Sequence, residues 1–119
     1  MNKKAILNSD EAVKFDGEKV RYDLIPADSL HKLAEVYTFG ARKYADENWR
    51  KGMSWKRIFG AIMRHSWAWF RGEDNDPESG LPHLAHAAWG FFTLMHFSDH
   101  CKKYDDRIKL NELENDNGR

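Results

Sequence analysis

From Pro82 to about Lys103 the chain reads as a helix that is apolar around much of its circumference, through Leu84, Ala85, Ala88, Trp89, Phe92, Leu94, Met95 and Phe97. An amphipathic helix needs cover on one face, whereas a helix of this kind has to be enclosed by other elements. It is therefore expected to be the central helix, and the rest of the chain must supply what surrounds it. Two helical periods precede it. Behind Pro26, whose φ suits a helix start, Leu30, Leu33, Ala34, Tyr37, Ala41 and Tyr44 recur at three- and four-residue intervals and predict a helix over roughly 27–46. Gly52 closes the next linker, Ser54 can cap a second helix, and Trp55, Ile58, Phe59, Ile62, Ser66 and Trp69 form its apolar stripe up to Gly72. The segment from Glu73 to Gly80, with Pro77 and four acids, reads as a loop.

Upstream, Val13, Phe15, Val20 and Tyr22 flank Asp16-Gly17, a dipeptide suited to a tight turn. The fold class expected is all-α: a small bundle of three to four helices with a short N-terminal hairpin or extended arm. Residues 1–12 are expected to form a flexible N terminus, 13–104 a single helical domain and 105–119 a polar C-terminal tail.

Nineteen basic and nineteen acidic residues cancel, so the chain lacks the excess that tracks a nucleic-acid polymer. The charges are unevenly spread, however. Residues 1–72 hold fourteen basic and nine acidic side chains, and residues 73–119 hold five and ten. That asymmetry suits a basic wall for phosphate and an acidic wall for metal, and it equally suits two halves that attract each other. The single cysteine, Cys101, has no partner for an internal disulfide, and neither a leader nor a spanning apolar stretch is evident, so a cytoplasmic protein with no membrane partner is expected. Five Trp, seven Phe and four Tyr are a heavy aromatic load for this length, and a bundle this short is expected to complete its core as a homo-oligomer, a dimer or higher.

Two constellations carry possible chemistry. Glu73, Asp74, Asp76 and Glu78 are followed by His83 and His86, one helical turn apart, and preceded on the second helix by His65. Carboxylate clusters hold Mg²⁺ or Mn²⁺, and added imidazoles shift the preference toward Mn²⁺. Spacing alone is equally compatible with a solvated acidic loop and two packed histidines. The second constellation is basic and aromatic: Arg42, Lys43, Tyr44, Asn48 and Trp49, with Arg57, Arg64 and Arg71 seven residues apart on the second helix. Arginine forks bind phosphate, Trp49 or Tyr44 can stack on a base and Asn48 can read its edge, although such a stripe is more often a solvent face. Trp55, Trp67, Trp69 and Trp89 read as core or interface. No GxxxxGK[ST], GxGxxG, CxxC or HExxH motif occurs, and the adjacent His-Asp pair of HD phosphohydrolases is present only in reverse, as Asp99-His100.

Three ordered blocks, KFDGEKVRYDLIP, FGARKYADENWRKG and RHSWAWFRGEDNDPESGLPHLAHAAWG, resemble the dATP/dGTP diphosphohydrolase N-terminal domain family of phage and bacterial proteins, over about Lys14 to Phe97. The resemblance implies cleavage of a purine deoxynucleoside triphosphate to monophosphate and pyrophosphate in the bacterial cytoplasm. It also suggests kinship with all-α nucleoside triphosphate pyrophosphohydrolases, which hold Mg²⁺ through ExxE and ExxD motifs. Glu73 to Asp76 supply an ExxD, in an expected loop, but no ExxE occurs, which leaves His65, His83 and His86 as substitute ligands or as a base.

The scheme this implies has Glu73, Asp76, His83 and His86 binding one or two Mg²⁺ or Mn²⁺ ions. Glu78 or His65 accepts the proton of the attacking water. Lys43, Arg64 and Arg71 neutralise phosphoryl charge, and Tyr44, Asn48 and Trp49 hold the base. Lys14, Asp16, Lys19, Arg21 and Asp23 either fold over the site or make subunit contacts. The rival reading is a nucleotide sponge that binds without cleaving.

Overall fold

The computed structural model describes residues 10–112. Three α-helices dominate: α1 (Ala27–Lys43), α2 (Trp55–Phe70) and α3 (His83–His100), with a 3₁₀ turn at Asn48–Lys51 between the first two and another at Lys102–Tyr104 after the third. No strand is present among the described residues, and the chain is all-α as expected. Asp16-Gly17 does form a turn, closed by Lys19 N–H donating to Asp16 O at 3.0 Å, but no strands flank it, and Tyr22 opens a 3₁₀ turn at Tyr22–Leu24. Frayed ends were expected over residues 1–12 and 105–119, of which 1–9 and 113–119 lie outside the described residues.

Local signals account for most helix boundaries. Ser54 caps α2, its hydroxyl accepting from Arg57 N–H at 3.2 Å. α1 stops at Lys43, short of residue 46, because Glu47 takes the left-handed conformation (φ 55°) and the chain tightens into the Asn48–Lys51 turn. α3 stops at His100, short of Lys103, where Cys101 adopts φ −150° and the following residues coil into the 3₁₀ turn. That turn seats the Tyr104 ring on Gly52, whose φ of 90° only glycine holds without strain.

As expected, α3 is central: α1 and α2 both pack on it. The core consists of Trp55, Ile58 and Ile62 from α2 against Ala87 and Phe97 from α3, with Trp49, Met53, Trp89 and Leu94 around them. α1 contributes Leu33 and Val36, while Leu30 and Tyr44, placed on its apolar stripe by periodicity, are largely exposed. Its docking is pinned toward its C-terminal half, where the Tyr37 hydroxyl lies 3.1 Å from Thr93 Oγ1. Past residue 104 the chain keeps contact with the bundle. Asp106 accepts from Ser54 Oγ and from Lys56 N–H at the start of α2, and the Arg107 guanidinium lies 4.9 Å from the Trp55 ring centre.

The antiparallel α2–α3 pair packs tightly at Gly90. A Cβ there would stand 2.4 Å from Ile62 Cγ1 and 2.8 Å from its Cδ1. Because Ile62 is buried, it has no free space to retreat into. Gly90→Val is expected to destabilise the fold by about 1–3 kcal/mol, measurable as a lowered urea midpoint with an unchanged slope.

Candidate functional site

α2 ends in a left-handed glycine cap: Gly72 sits at φ 101°, with Gly72 N–H donating to Trp69 O and Glu73 N–H to Ala68 O. The acidic loop then closes on itself. Asp76 N–H donates to Leu81 O, Gly80 N–H to Asp76 O and His83 N–H to Asp74 O, and Asn75 bridges to Pro82. This stitching sets the loop's side chains beside the C-terminal half of α2 and the first turns of α3.

Three histidines converge there. His65 Nδ1 lies 2.8 Å from His83 Nδ1, and the His65 ring stacks on His86 with centroids 4.6 Å apart and planes 8° from parallel. His83 Nε2 is 2.7 Å from Glu73 Oε1. An ionised carboxylate only accepts, so the Nε2 proton belongs to this bond and His83 Nδ1 offers its lone pair toward His65. Ser79 organises the other side. Its backbone N–H and hydroxyl both donate to Asp76 Oδ2, at 2.9 and 3.0 Å, leaving Oγ to accept from Leu81 N–H and from His86 Nε2, 2.7 Å away.

The result is a donor set with no further rearrangement of the backbone. One ligand atom from each of His65, Asp76 and His83 lies within 4.8 Å of the others, a spacing that one divalent ion can bridge. Glu73 is spent on the far nitrogen of His83, the position of a carboxylate that orients a ligating imidazole. His86 stands at the edge of the set, 3.9 Å from Asp76 Oδ2.

Protonation states suit metal binding. Burial pushes His65 below the ordinary imidazole value, reinforced by the neighbouring His86 and His83 charges. Burial likewise lowers His86, against an opposing pull from Asp76. For Asp76 burial acts upward but is outweighed by the two Ser79 hydrogen bonds and by His86 and His65, so the carboxyl stays below its usual range. Neutral imidazoles beside an ionised carboxylate are the forms that ligate.

His86 also forms one wall of a cleft of about 730 Å³ between α1, α3 and the Asn48–Lys51 turn. Lys43, Tyr44, Asn48 and Trp49, all chosen from sequence, line it. So do Tyr37 and Trp89, which sequence reasoning passed over as packing, and Phe39, to which it gave no role. Tyr37 meets Trp49 edge-on at 5.7 Å and Trp89 at 6.0 Å, and burial pushes its phenol up, keeping it a neutral donor. The only advance signal for Trp89 was its position one turn beyond His86.

Other candidates stand apart. Glu78 pairs with Lys43 across the cleft rim, its carboxylate 2.5 Å from Nζ. Arg64 and Arg71 are exposed, on the side of α2 turned away from α3, with Arg57 in line. Within this chain they do not line the cleft. In the arm, Lys14, Asp16, Lys19, Arg21 and Asp23 are exposed, and Arg21 pairs with Asp23.

Residues 9–107 match the family described as dATP/dGTP diphosphohydrolase, N-terminal. The chain belongs to this family. The match takes in the three histidines, the acidic loop and every residue lining the cleft. A dATP/dGTP diphosphohydrolase of Salmonella phage PMBT28 is 34% identical over 95 residues, which is 80% of this chain and 32% of the relative. The chain thus spans about a third of that protein's length. No solved structure matches it.

Two outcomes follow from the electrostatics. His65 and His86 have folded-state values below the unfolded 6.5, so the unfolded chain binds their protons first. With chelator present, unfolding free energy is expected to fall as pH drops below about 6.5, and to fall further through the carboxylate range as Asp76 loses its preference for ionisation. Urea titrations across pH measure this, and a flat profile between neutrality and the carboxylate range would contradict it. Ser79→Ala removes one of the two Asp76 hydrogen bonds and the His86 contact, and is expected to raise the Asp76 pKa in an NMR titration.

Proposed function

We propose that this chain binds a purine deoxynucleoside triphosphate in the aromatic cleft and hydrolyses it to the monophosphate and pyrophosphate, using a divalent metal ion at the His65–Asp76–His83 cluster, in the bacterial cytoplasm. The observation that carries the reading is that His86 belongs to both places, stacking on His65 and walling the cleft. A base lodged among Tyr44, Asn48 and Trp49 would thereby have its phosphates led past Lys43 toward the cluster. The PMBT28 relative's name supplies the substrate class and the reaction.

Two imidazoles and a carboxylate favour Mn²⁺ over Mg²⁺, because imidazole is a poor ligand for the harder ion. Such an ion supplies positive charge for the phosphates and acidifies water at neutral pH. The remaining work falls to side chains. Glu73 holds the His83 tautomer, and Ser79 holds Asp76 and His86. His65 is assigned to the ligand set, since its Nδ1 already faces His83. Substrate phosphate competes with Glu78 for Lys43, and the carboxylate so released is the group that takes the water proton. Water oxygen then bonds to the α phosphorus as the bond to the bridging oxygen breaks, and pyrophosphate leaves.

Anion-exchange chromatography of dATP and dGTP incubated with the protein, with Mg²⁺, Mn²⁺ or chelator, tests the reading. Metal-dependent monophosphate and pyrophosphate are expected, whereas intact nucleotide retained on the protein would make it a sponge. Asp76→Ala and His83→Ala are expected to abolish turnover, Glu73→Gln to lower it about 10–100-fold through the orientation of His83, and Arg57→Ala to leave it near wild type. Trp49→Ala is expected mainly to raise KM, by the equivalent of about 1–3 kcal/mol of stacking.

A further inference from the structure

α3 carries no Lys, Arg, Asp or Glu from His83 to Ser98 and is apolar around much of its circumference, yet α1 and α2 cover only part of it. Leu84, Phe91 and Met95 are each about half exposed, at 52%, 51% and 58%. On α2, Met63, Trp67 and Phe70 are similarly uncovered, at 42%, 51% and 70%. These are two stripes at helical spacing. At about 100° per residue, the α2 stripe lies to one side of the Ile58–Ile62 line that meets α3, and the α3 stripe lies to one side of Gly90. Because the helices run antiparallel, those sides coincide. A hollow of about 530 Å³ lined by Phe59 from α2 and by Leu94 and Ser98 from α3 continues the same face.

We propose that this α2–α3 face is the contact between two copies of the chain. Large apolar side chains bury about 150–250 Å² each when covered, so six of them half exposed offer on the order of 500–800 Å², close to one side of a standard protein–protein interface. The centre of the face is uncharged, which suits a partner equally uncharged there, and the same face on a second copy is such a partner. A two-fold axis running parallel to the helices sets α2 of each copy against α3 of the other, with every neighbouring pair antiparallel, and so encloses α3 on its open side. A bilayer is the poorer occupant: no described helix is long and apolar enough to cross one, and the basic side chains lining the adjoining hollow, Lys56 and Arg107, stand by the start of α2 and not along α3. α1 packs on the opposite side of α3, through Tyr37 and Thr93, so the cleft stays open in each subunit. The contact does not depend on the chain being a hydrolase.

Light scattering coupled to size exclusion, over a wide dilution series of the full chain, is the test. The expected mass is twice the 14.0 kDa of one chain. Phe91→Glu and, separately, Met95→Lys are expected to weaken the dimer roughly tenfold or more, with the helical circular dichroism spectrum retained because both side chains are exposed in the monomer. Leu30→Glu, on α1, is expected to leave the mass unchanged. A wild-type chain that stays monomeric at every concentration would give the face to some other partner and overturn the proposal. So would a dimer that persists in both folded variants.

Discussion

The contact between Gly90 and Ile62 sets the register of everything around it. Without a side chain at residue 90, α2 and α3 approach closely enough for Ile62 to seat directly on the α3 backbone. In an antiparallel pair, residues that follow Ile62 lie level with residues that precede Gly90. His65, one turn on, therefore comes level with His86 and His83, one and two turns back. A shift of one residue in either helix would rotate its histidine by about 100° and disperse the cluster. The site is thus a consequence of core packing before it is a matter of ligand chemistry.

The loop between the two helices completes what the crossing begins. It is short, capped by Gly72 and tied by its own backbone hydrogen bonds, so Glu73 and Asp76 reach the histidines from opposite ends. Each acid has a distinct job. Glu73 fixes a ring proton, and Asp76, held ionised by Ser79, presents charge to the cluster. The last of the loop's four acids, Glu78, points across the cleft to Lys43 and links the loop to α1. Family membership over residues 9–107 takes in all of these positions together with the aromatic cleft.

Much of this was legible in the sequence because the signals were local. The cap at Ser54, the stop at Gly72, the loop around Pro77 and the broad apolarity of α3 each depend on residues within a turn or two of one another. The cleft residues Lys43, Tyr44, Asn48 and Trp49 were legible for a similar reason, since they fall in one short segment. Other assignments needed directions in space. The stripe of Arg57, Arg64 and Arg71 was visible, but only the phase of α2 against α3 shows that it faces away from the cleft. Ser79 gave no sequence signal, because a serine in a polar loop is unremarkable until Asp76 and His86 are brought to its hydroxyl. Tyr37 and Trp89 read as packing residues because aromatic side chains at helical spacing usually are.

By itself the sequence determined the class of fold and the extents of three helices to within a few residues, and it marked the carboxylate–histidine and basic–aromatic constellations as candidates. These follow from periodicity, capping and turn chemistry, which act between near neighbours. Tertiary structure alone decided that His65 meets His83 and not solvent, that Glu73 orients a ring nitrogen, that Lys43 is paired with Glu78, and that one side of α3 is left uncovered. Each of those depends on the rotation of one helix against another, and that rotation is fixed by where a glycine lets a side chain of one helix seat on the backbone of the other.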